Sequence, residues 1–158
     1  MSLLSSAQGI INASSPLPWL IVAGQPTDGQ LAALHAAGVQ TVIDVRDPME
    51  PRPFDEPGSV SSLGMTYVNA PVVLGALSDA AMDRALGALR TARGTPALLH
   101  CSSANRAGGP LIAYLILDEK TNEQDAVDTA MRSGLRSAEV MEWATEYGKK
   151  HHNKNSNK

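Results

Sequence analysis

One segment of the sequence brings together residue types that could do covalent chemistry: LLHCSSANRAGGP, residues 98–110. An apolar strand is predicted to end at His100 and a helix to begin near Arg106, with Cys101 first in the loop between them. Ligands of open α/β sheets bind at the carboxyl ends of strands, where this arrangement places Cys101. A lone cysteine at a strand end is usually a small buried hydrophobe, but a thiolate in this setting is a nucleophile.

The residues after Cys101 could bind an anion. Successive backbone N–H groups of a short loop can converge on one ligand, and the N-terminus of the following helix adds partial positive charge. Arg106 contributes a planar guanidinium, which suits two-point binding of a tetrahedral oxyanion. We expect the same positive field to favour the thiolate form of Cys101. The candidate substrate-binding residues of this loop are Ser102, Ser103, Ala104 and Asn105.

Further candidates follow other predicted strands. Gln25 and Arg46 could line the same pocket, although surface and turn roles suit them equally. Asp47 could reach the site as a proton donor, but a turn role before Pro48 is the stronger interpretation.

The elements that must position these residues alternate between strand and helix. Short apolar segments predict strands at 19–24, 41–46, 65–70 and 96–100. Capping signals predict helices beginning at Thr27, at Ser78, at Thr121 and at Ser137. A further helix is predicted from about Arg106 to Asp118, since Pro110 is tolerated in its opening turns. We therefore predict an α/β fold with a mainly parallel central sheet of about four to five strands flanked by helices.

The ends of the chain are predicted to lie outside this domain. Residues 1–18 are small and polar and predict an N-terminal arm, residues 19–150 form the domain, and residues 151–158 predict a disordered polar tail. The proline-rich segment 47–64 predicts a long loop. His151 and His152 could bind a metal ion, but a solvated tail is the favoured interpretation.

Composition limits the function. With a net charge of −3 and 4% aromatic residues, the 158-residue chain offers no broad surface for nucleic acid. One cysteine excludes an internal disulfide and a cysteine-rich metal centre, and we expect no metal and no cofactor. No apolar run is long enough for a membrane span, and no secretory signal is visible. The cytoplasm is therefore the default expectation, although a processed export signal would leave no trace.

Four stretches together resemble a bacterial phosphatase-like domain family. They are AGQPT at 23–27, LAALHAAGVQTVIDVR at 31–46, Tyr67 with Pro71, and HCSSANR at 100–106. In that family, sometimes fused to β-lactamase-fold hydrolases, a tyrosine/dual-specificity phosphatase-type fold carries a short Cys-x4-Arg loop. Four residues separate Cys101 from Arg106, as in rhodanese sulfurtransferases, whereas phosphatases usually have one residue more.

The resemblance implies a hydrolase of phosphoric monoesters. Cys101 would attack phosphorus, Arg106 would bind the non-bridging oxygens, and His100 would tune the thiolate. The substrate would be a phosphorylated small molecule or protein. Three positions depart from the family pattern: residues 70–74 lack a carboxylate, Ala107 replaces a hydroxyl residue, and the loop lacks an interior glycine. Two alternatives therefore stay open, a sulfurtransferase with a persulfide on Cys101 and a module that only binds phosphate or sulfate.

Overall fold

The computed structural model describes residues 2–156, and its centre is a five-stranded sheet in the order β1-β2-β5-β3-β4. The strands are β1 Ser14–Leu17, β2 Leu20–Ala23, β3 Thr41–Asp44, β4 Thr66–Asn69 and β5 Ala97–His100. All neighbouring pairs are parallel except β1 with β2. The predicted α/β fold with a mainly parallel sheet is confirmed.

Helices cover both faces of this sheet. They are a 3-10 helix at Leu4–Ala7, α1 Asp28–Ala36, α2 Glu56–Ser62, α3 Asp79–Ala92, α4 Gly108–Leu117, α5 Glu123–Arg132 and α6 Ala138–Ser156. The predicted capping box of α1 is present, because Thr27 and Gln30 exchange backbone-to-side-chain hydrogen bonds of 2.8 and 3.1 Å. The cap of α5 is Asn122 rather than Thr121, since the Asn122 side chain accepts from the Asp125 N–H.

The alternation of side chains along the strands divides the core into two layers. Leu20, Val22 and Leu99 face the layer built with α3, α4, α5 and α6. Ile21 and Leu98 face the smaller layer built with α1 and α2. Every residue of α4 is buried, so the helix that follows the Cys101 loop is the central helix of the larger layer.

Three segments differ from the sequence expectations. Residues 1–18, expected as an arm, supply β1 and place Ala7 and Ile10 in the smaller core layer. The segment 47–64, expected as a loop, contains helix α2. Its prolines suggested a loop, but Pro57 lies in the first turn of α2, where proline is tolerated. The tail at 151–158, expected to be disordered, continues α6 to Ser156, while residues 157 and 158 lie outside the described residues. Within 2–156, no helix is both long and apolar enough to cross a bilayer.

Candidate active site

The loop after β5 presents backbone donors at the start of α4. Cys101 is buried, with 1% of its surface exposed, and its N–H lies 3.3 Å from the carbonyl oxygen of Ala23. No acceptor within residues 2–156 meets the next donors along the loop, which are the N–H groups of Ser102, Ser103, Asn105 and Arg106. No side chain caps the N-terminus of α4. Loop and helix end together therefore leave several N–H groups without an acceptor among the described residues.

Ala104 adopts the left-handed backbone conformation that the interior glycine of the family loop would otherwise provide. Its φ of 75° lies in the left-handed region, which glycine adopts at least cost. The Ala104 methyl is fully buried, and a Cβ added at Gly134 would lie 2.9 Å from it. Gly134 therefore leaves the space into which Ala104 turns, and the loop keeps its shape without an interior glycine.

Contacts on both sides fix the loop. On the β2 side, the Gln25 N–H donates to the Ser102 carbonyl at 2.9 Å, and the Asn12 side chain donates to the Ser103 carbonyl at 2.9 Å. On the α6 side, Asn105 Oδ1 accepts from the N–H groups of Arg136 and Ser137 at 2.7 and 3.0 Å. We call the loop of residues 101–106 the cradle. It is held in place by contacts with the N-terminal segment, with the segment after β2 and with the start of α6.

Arg106 is paired with a carboxylate. Its Nη1 and Nη2 lie 2.6 and 3.3 Å from the two oxygens of Glu50, and Nη2 lies 3.2 Å from Ser102 Oγ. Arg46 Nε donates to the same carboxylate at 3.0 Å. Burial raises the pKa of Glu50, but the hydrogen bonds and charges of Arg106 and Arg46 outweigh it and leave that pKa lowered. The ionised Glu50 carboxylate is therefore paired with the Arg106 guanidinium, which is the group expected to bind substrate oxygens.

Behind the loop lies a second, buried set of contacts. His100 Nε2 is 2.5 Å from Glu56 Oε2, and His100 Nδ1 is 3.2 Å from the carbonyl oxygen of Cys101. The Gln25 amide donates to Glu56 Oε1 at 2.6 Å, and Arg46 Nη1 donates to Gln25 Oε1 at 2.5 Å. Arg46 also binds Glu50, which in turn binds Arg106. The hydrogen bonds therefore form a continuous chain that starts at the Cys101 carbonyl and returns to the same loop at Arg106.

Asp44 completes the buried cluster. It accepts from the Tyr67 hydroxyl at 2.6 Å and from the Arg46 N–H at 3.0 Å, and Arg52 pairs with it at 3.4 Å. Burial and the neighbouring Asp44 carboxylate raise the pKa of Tyr67. Asp44, Glu56 and His100 offer ligand atoms within 4.8 Å of one another, a spacing that could hold a metal ion. Glu56 is already in short contact with His100, and Asp44 is paired with the Arg52 guanidinium.

The structure brings most of the predicted site residues together. Gln25 contacts the segment 100–106 through the Ser102 carbonyl, and Arg106 turns back to Ser102 Oγ within that segment. Asp47 does not join them, because its carboxylate accepts from the Met49 N–H at 2.9 Å within its own turn. Sequence reasoning missed Glu50 and Glu56. The spacing of Glu50 four residues after Arg46 was a usable signal, whereas nothing in the proline-rich segment marked Glu56.

The fold is shared with solved phosphatases. A candidate phosphatase of the DUF442 family from Shewanella putrefaciens CN-32 has a TM-score of 0.79 at 23% identity, over 93% of this chain and 97% of that chain. TpbA from P. aeruginosa has a TM-score of 0.69 at 23% identity, over 88% and 84%. PTPMT1, solved with PI(5)P, has a TM-score of 0.76 at 18% identity, over 90% and 98%.

No protein-family model and no curated protein matches the sequence. The structural likenesses, all below 25% identity, agree with the resemblance found in the motifs. The chain therefore has the protein tyrosine phosphatase-like fold.

Proposed function

We propose that this protein is a cysteine-dependent phosphatase acting on phosphoric monoesters. The observation that carries the proposal is the loop after β5: a buried Cys101, the N–H groups of Ser102, Ser103, Asn105 and Arg106, which have no acceptor among residues 2–156, and Arg106 turned back to within 3.2 Å of Ser102 Oγ. Backbone donors and a guanidinium in fixed positions stabilise charge on phosphoryl oxygens. That arrangement supports phosphoryl transfer to the cysteine, in keeping with the fold.

The reaction has two steps. The Cys101 thiolate attacks phosphorus, an S–P bond forms, the P–O bond to the leaving group breaks, and the leaving oxygen takes a proton from solvent. Water then attacks the thiophosphate, which releases inorganic phosphate and restores the thiolate. Arg106 and the N–H groups hold the non-bridging oxygens in both steps.

The leaving group decides how fast the first step runs. A positioned acid usually contributes 10²–10⁴-fold, and residues 70–74 carry no carboxylate. Glu50, whose pKa is lowered despite burial because Arg106 and Arg46 bind it, is ionised at neutral pH and is a poor proton donor. We therefore expect aryl phosphates, which leave readily, to react much faster than alkyl phosphates.

Sulfur transfer is the second candidate, and the four-residue spacing between Cys101 and Arg106 favours it. In that reaction the Cys101 thiolate bonds to the outer sulfur of thiosulfate, the S–S bond of thiosulfate breaks and sulfite leaves. The resulting persulfide passes its outer sulfur to an acceptor such as cyanide, which forms thiocyanate and restores the thiolate. No acid is needed, which suits the composition of residues 70–74.

Hydrolysis of para-nitrophenyl phosphate tests the proposal, measured from about pH 5 to about pH 8 with the wild type, Cys101→Ser and Arg106→Lys. We expect turnover in the wild type, none in Cys101→Ser, and a large loss in Arg106→Lys, since lysine cannot bind two oxygens at once. Ser61→Ala is the control, because it removes an exposed hydroxyl in helix α2, away from the Cys101 loop.

Mass spectrometry separates the alternatives. A phosphoryl adduct on wild-type Cys101 during turnover supports the phosphatase. The absence of hydrolysis together with a gain of one sulfur atom after thiosulfate, lost again to cyanide, would replace it with the sulfurtransferase. Phosphate binding that survives Cys101→Ser, without either reaction, would identify an anion-binding module.

A further inference from the structure

The loop that joins β4 to α3 carries no polar side chain between residues 70 and 77. We call it the β4–α3 loop. The N–H groups of Ala70 and Val72 donate to the carbonyl oxygens of Asp44 and Val45, each at 2.9 Å. Val72 is fully buried in the larger layer of the core. The first half of the loop is therefore held by β3 and the segment that follows it.

Helix α6 holds the second half of the same loop at two points. Gly75, whose φ of 84° lies in the left-handed region, donates its N–H to Glu139 Oε1 at 2.9 Å. Trp143 Nε1 donates to the carbonyl oxygen of Ser78, the N-cap of α3, at 3.1 Å. Within residues 2–152 no cation pairs with Glu139, so its contact with the loop is the polar interaction that the structure gives to this carboxylate.

The same helix is attached to the cradle. At its start, the Ser137 N–H donates to Asn105 Oδ1 at 3.0 Å. One turn further on, Trp143 packs against the first turn of α4, since a Cβ added at Gly109 would lie 2.8 Å from its ring. Glu139 follows Ser137 by two residues, so it lies where α6 joins the cradle to the β4–α3 loop.

The loop presents apolar surface at this junction. Leu74, the residue before Gly75, is 48% exposed and is one of five large apolar side chains that are exposed among residues 2–156. It lies in a turn in which the Ala76 N–H donates to the Val73 carbonyl at 3.0 Å. An apolar side chain in this position gains free energy when a ligand covers it and removes it from water.

We propose that Glu139 is a positioning residue: it holds the β4–α3 loop as a fixed apolar wall beside the cradle, and this wall selects phosphoric monoesters whose leaving group is apolar. The inference rests on the proposed function and adds a substrate class to it. The wall acts by binding the leaving group rather than by protonating it, so it favours an apolar group even in a ligand that cannot react. Inorganic phosphate has no such group and does not contact the wall.

Binding of phenylphosphonate, compared with binding of inorganic phosphate, tests the proposal by calorimetry without any need for turnover. The ratio of the two affinities reports the wall, because both ligands are anions that the cradle would hold in the same way. Glu139→Ala removes the acceptor of the Gly75 N–H, and we expect the preference for phenylphosphonate to fall about three- to tenfold. Glu139→Gln keeps an oxygen that can accept the same hydrogen bond and should retain the preference.

The controls separate the wall from a general effect of charge or stability. Glu142→Ala removes an exposed carboxylate three residues further along the same helix and should leave the preference unaltered. Leu74→Asn makes the exposed side chain of the wall polar at similar size and should lower the preference about as much as Glu139→Ala. Hydrogen exchange at the Gly75 amide should become faster in Glu139→Ala and stay unchanged in Leu74→Asn.

Two results would overturn the proposal: an equal preference in the wild type, Glu139→Ala and Leu74→Asn, or a preference that Glu139→Gln or Glu142→Ala lowers as much as Glu139→Ala. The expected changes in binding, found in a protein that hydrolyses no monoester, would count against the phosphatase alone and support the wall. A wild type that binds neither ligand would overturn the proposed function and this proposal with it.

Discussion

The two carboxylate oxygens of Glu50 lie 2.6 and 3.3 Å from the two terminal nitrogens of Arg106, so an acidic side chain of the same molecule pairs with the guanidinium of the proposed anion site. Any phosphate that binds Arg106 must share it with Glu50 or displace it. Arg46, which donates to Glu50 at 3.0 Å, fixes the position of this internal competitor.

Removing the charge of Glu50 should therefore strengthen anion binding. In Glu50→Gln the positive potential at Arg106 is no longer neutralised, and we expect the inhibition constant of vanadate or phosphate to fall about three- to tenfold. Glu119→Gln makes the same change of net charge at an exposed position and should leave the constant unaltered. Weaker inhibition in Glu50→Gln would mean instead that Glu50 orients Arg106 for binding.

Glu56 should make the free energy of unfolding depend on pH in the acid range. Burial raises the pKa of Glu56, but His100, Gln25 and Arg52 outweigh it and the folded-state pKa falls below the ordinary 4.5. Between the two values the unfolded chain binds more protons, so the stabilisation is complete above about pH 5 and is lost as the pH falls through the folded-state pKa. The wild type should exceed Glu56→Gln by about 3 kcal/mol in free energy of unfolding at pH 7.

Urea unfolding of both proteins from about pH 3 to about pH 7 checks this dependence. The two free energies should converge toward the acid end of the range. A difference that stays constant with pH would show that Glu56 stabilises the fold by packing rather than by charge.

Gly24 should be essential to the shape of the cradle. A Cβ added there would lie 2.5 Å from the Ser102 carbonyl oxygen and 2.9 Å from the Ile11 Cβ. Gly24→Ala must therefore push the loop away from β2, and we expect a loss of about 2 kcal/mol in stability and weakened vanadate binding. Gly29→Ala is the matched control in helix α1, where nothing lies within 4 Å, and it should raise stability by about 0.5 kcal/mol. Calorimetry and vanadate inhibition measure both effects, and equal outcomes for the two variants would contradict the argument.

Asn105 should support the loop by accepting two hydrogen bonds. Asn105→Ala leaves the N–H groups of Arg136 and Ser137 without their acceptor, and we expect a loss of about 1–3 kcal/mol in stability. Asn105→Asp keeps the acceptor and places a negative charge at the N-terminus of α6, so it should retain stability while weakening anion binding. Thermal unfolding and phosphate inhibition distinguish these effects, and an Asp variant as unstable as the Ala variant would refute the proposed support.

The sequence was sufficient for features that depend on local pattern. The four parallel strands, the capping box of α1 and the Cys101 loop all follow from short-range periodicity and spacing. The pairing of Arg106 with Glu50 and of His100 with Glu56 could not be predicted in the same way. These pairs join residues 56 and 44 positions apart, and only the order of the strands brings them together. The position of Asp47 after a strand predicts a side chain near the site, but Asp47 caps its own turn, and the next acidic residue, Glu50, contacts Arg106 instead.

The segment before residue 19 has a consequence for any shortened form of the protein. Strand β1 covers the outer edge of β2, whose four residues are all buried, and Asn12 reaches the Ser103 carbonyl. A chain trimmed to the predicted domain start would expose an apolar row of unpaired backbone donors and acceptors, which is a template for edge-to-edge aggregation. The same truncation would remove the hydrogen bond from Asn12 to the Ser103 carbonyl, which helps to hold the cradle. We therefore expect a truncated protein to lose solubility and anion binding at the same time.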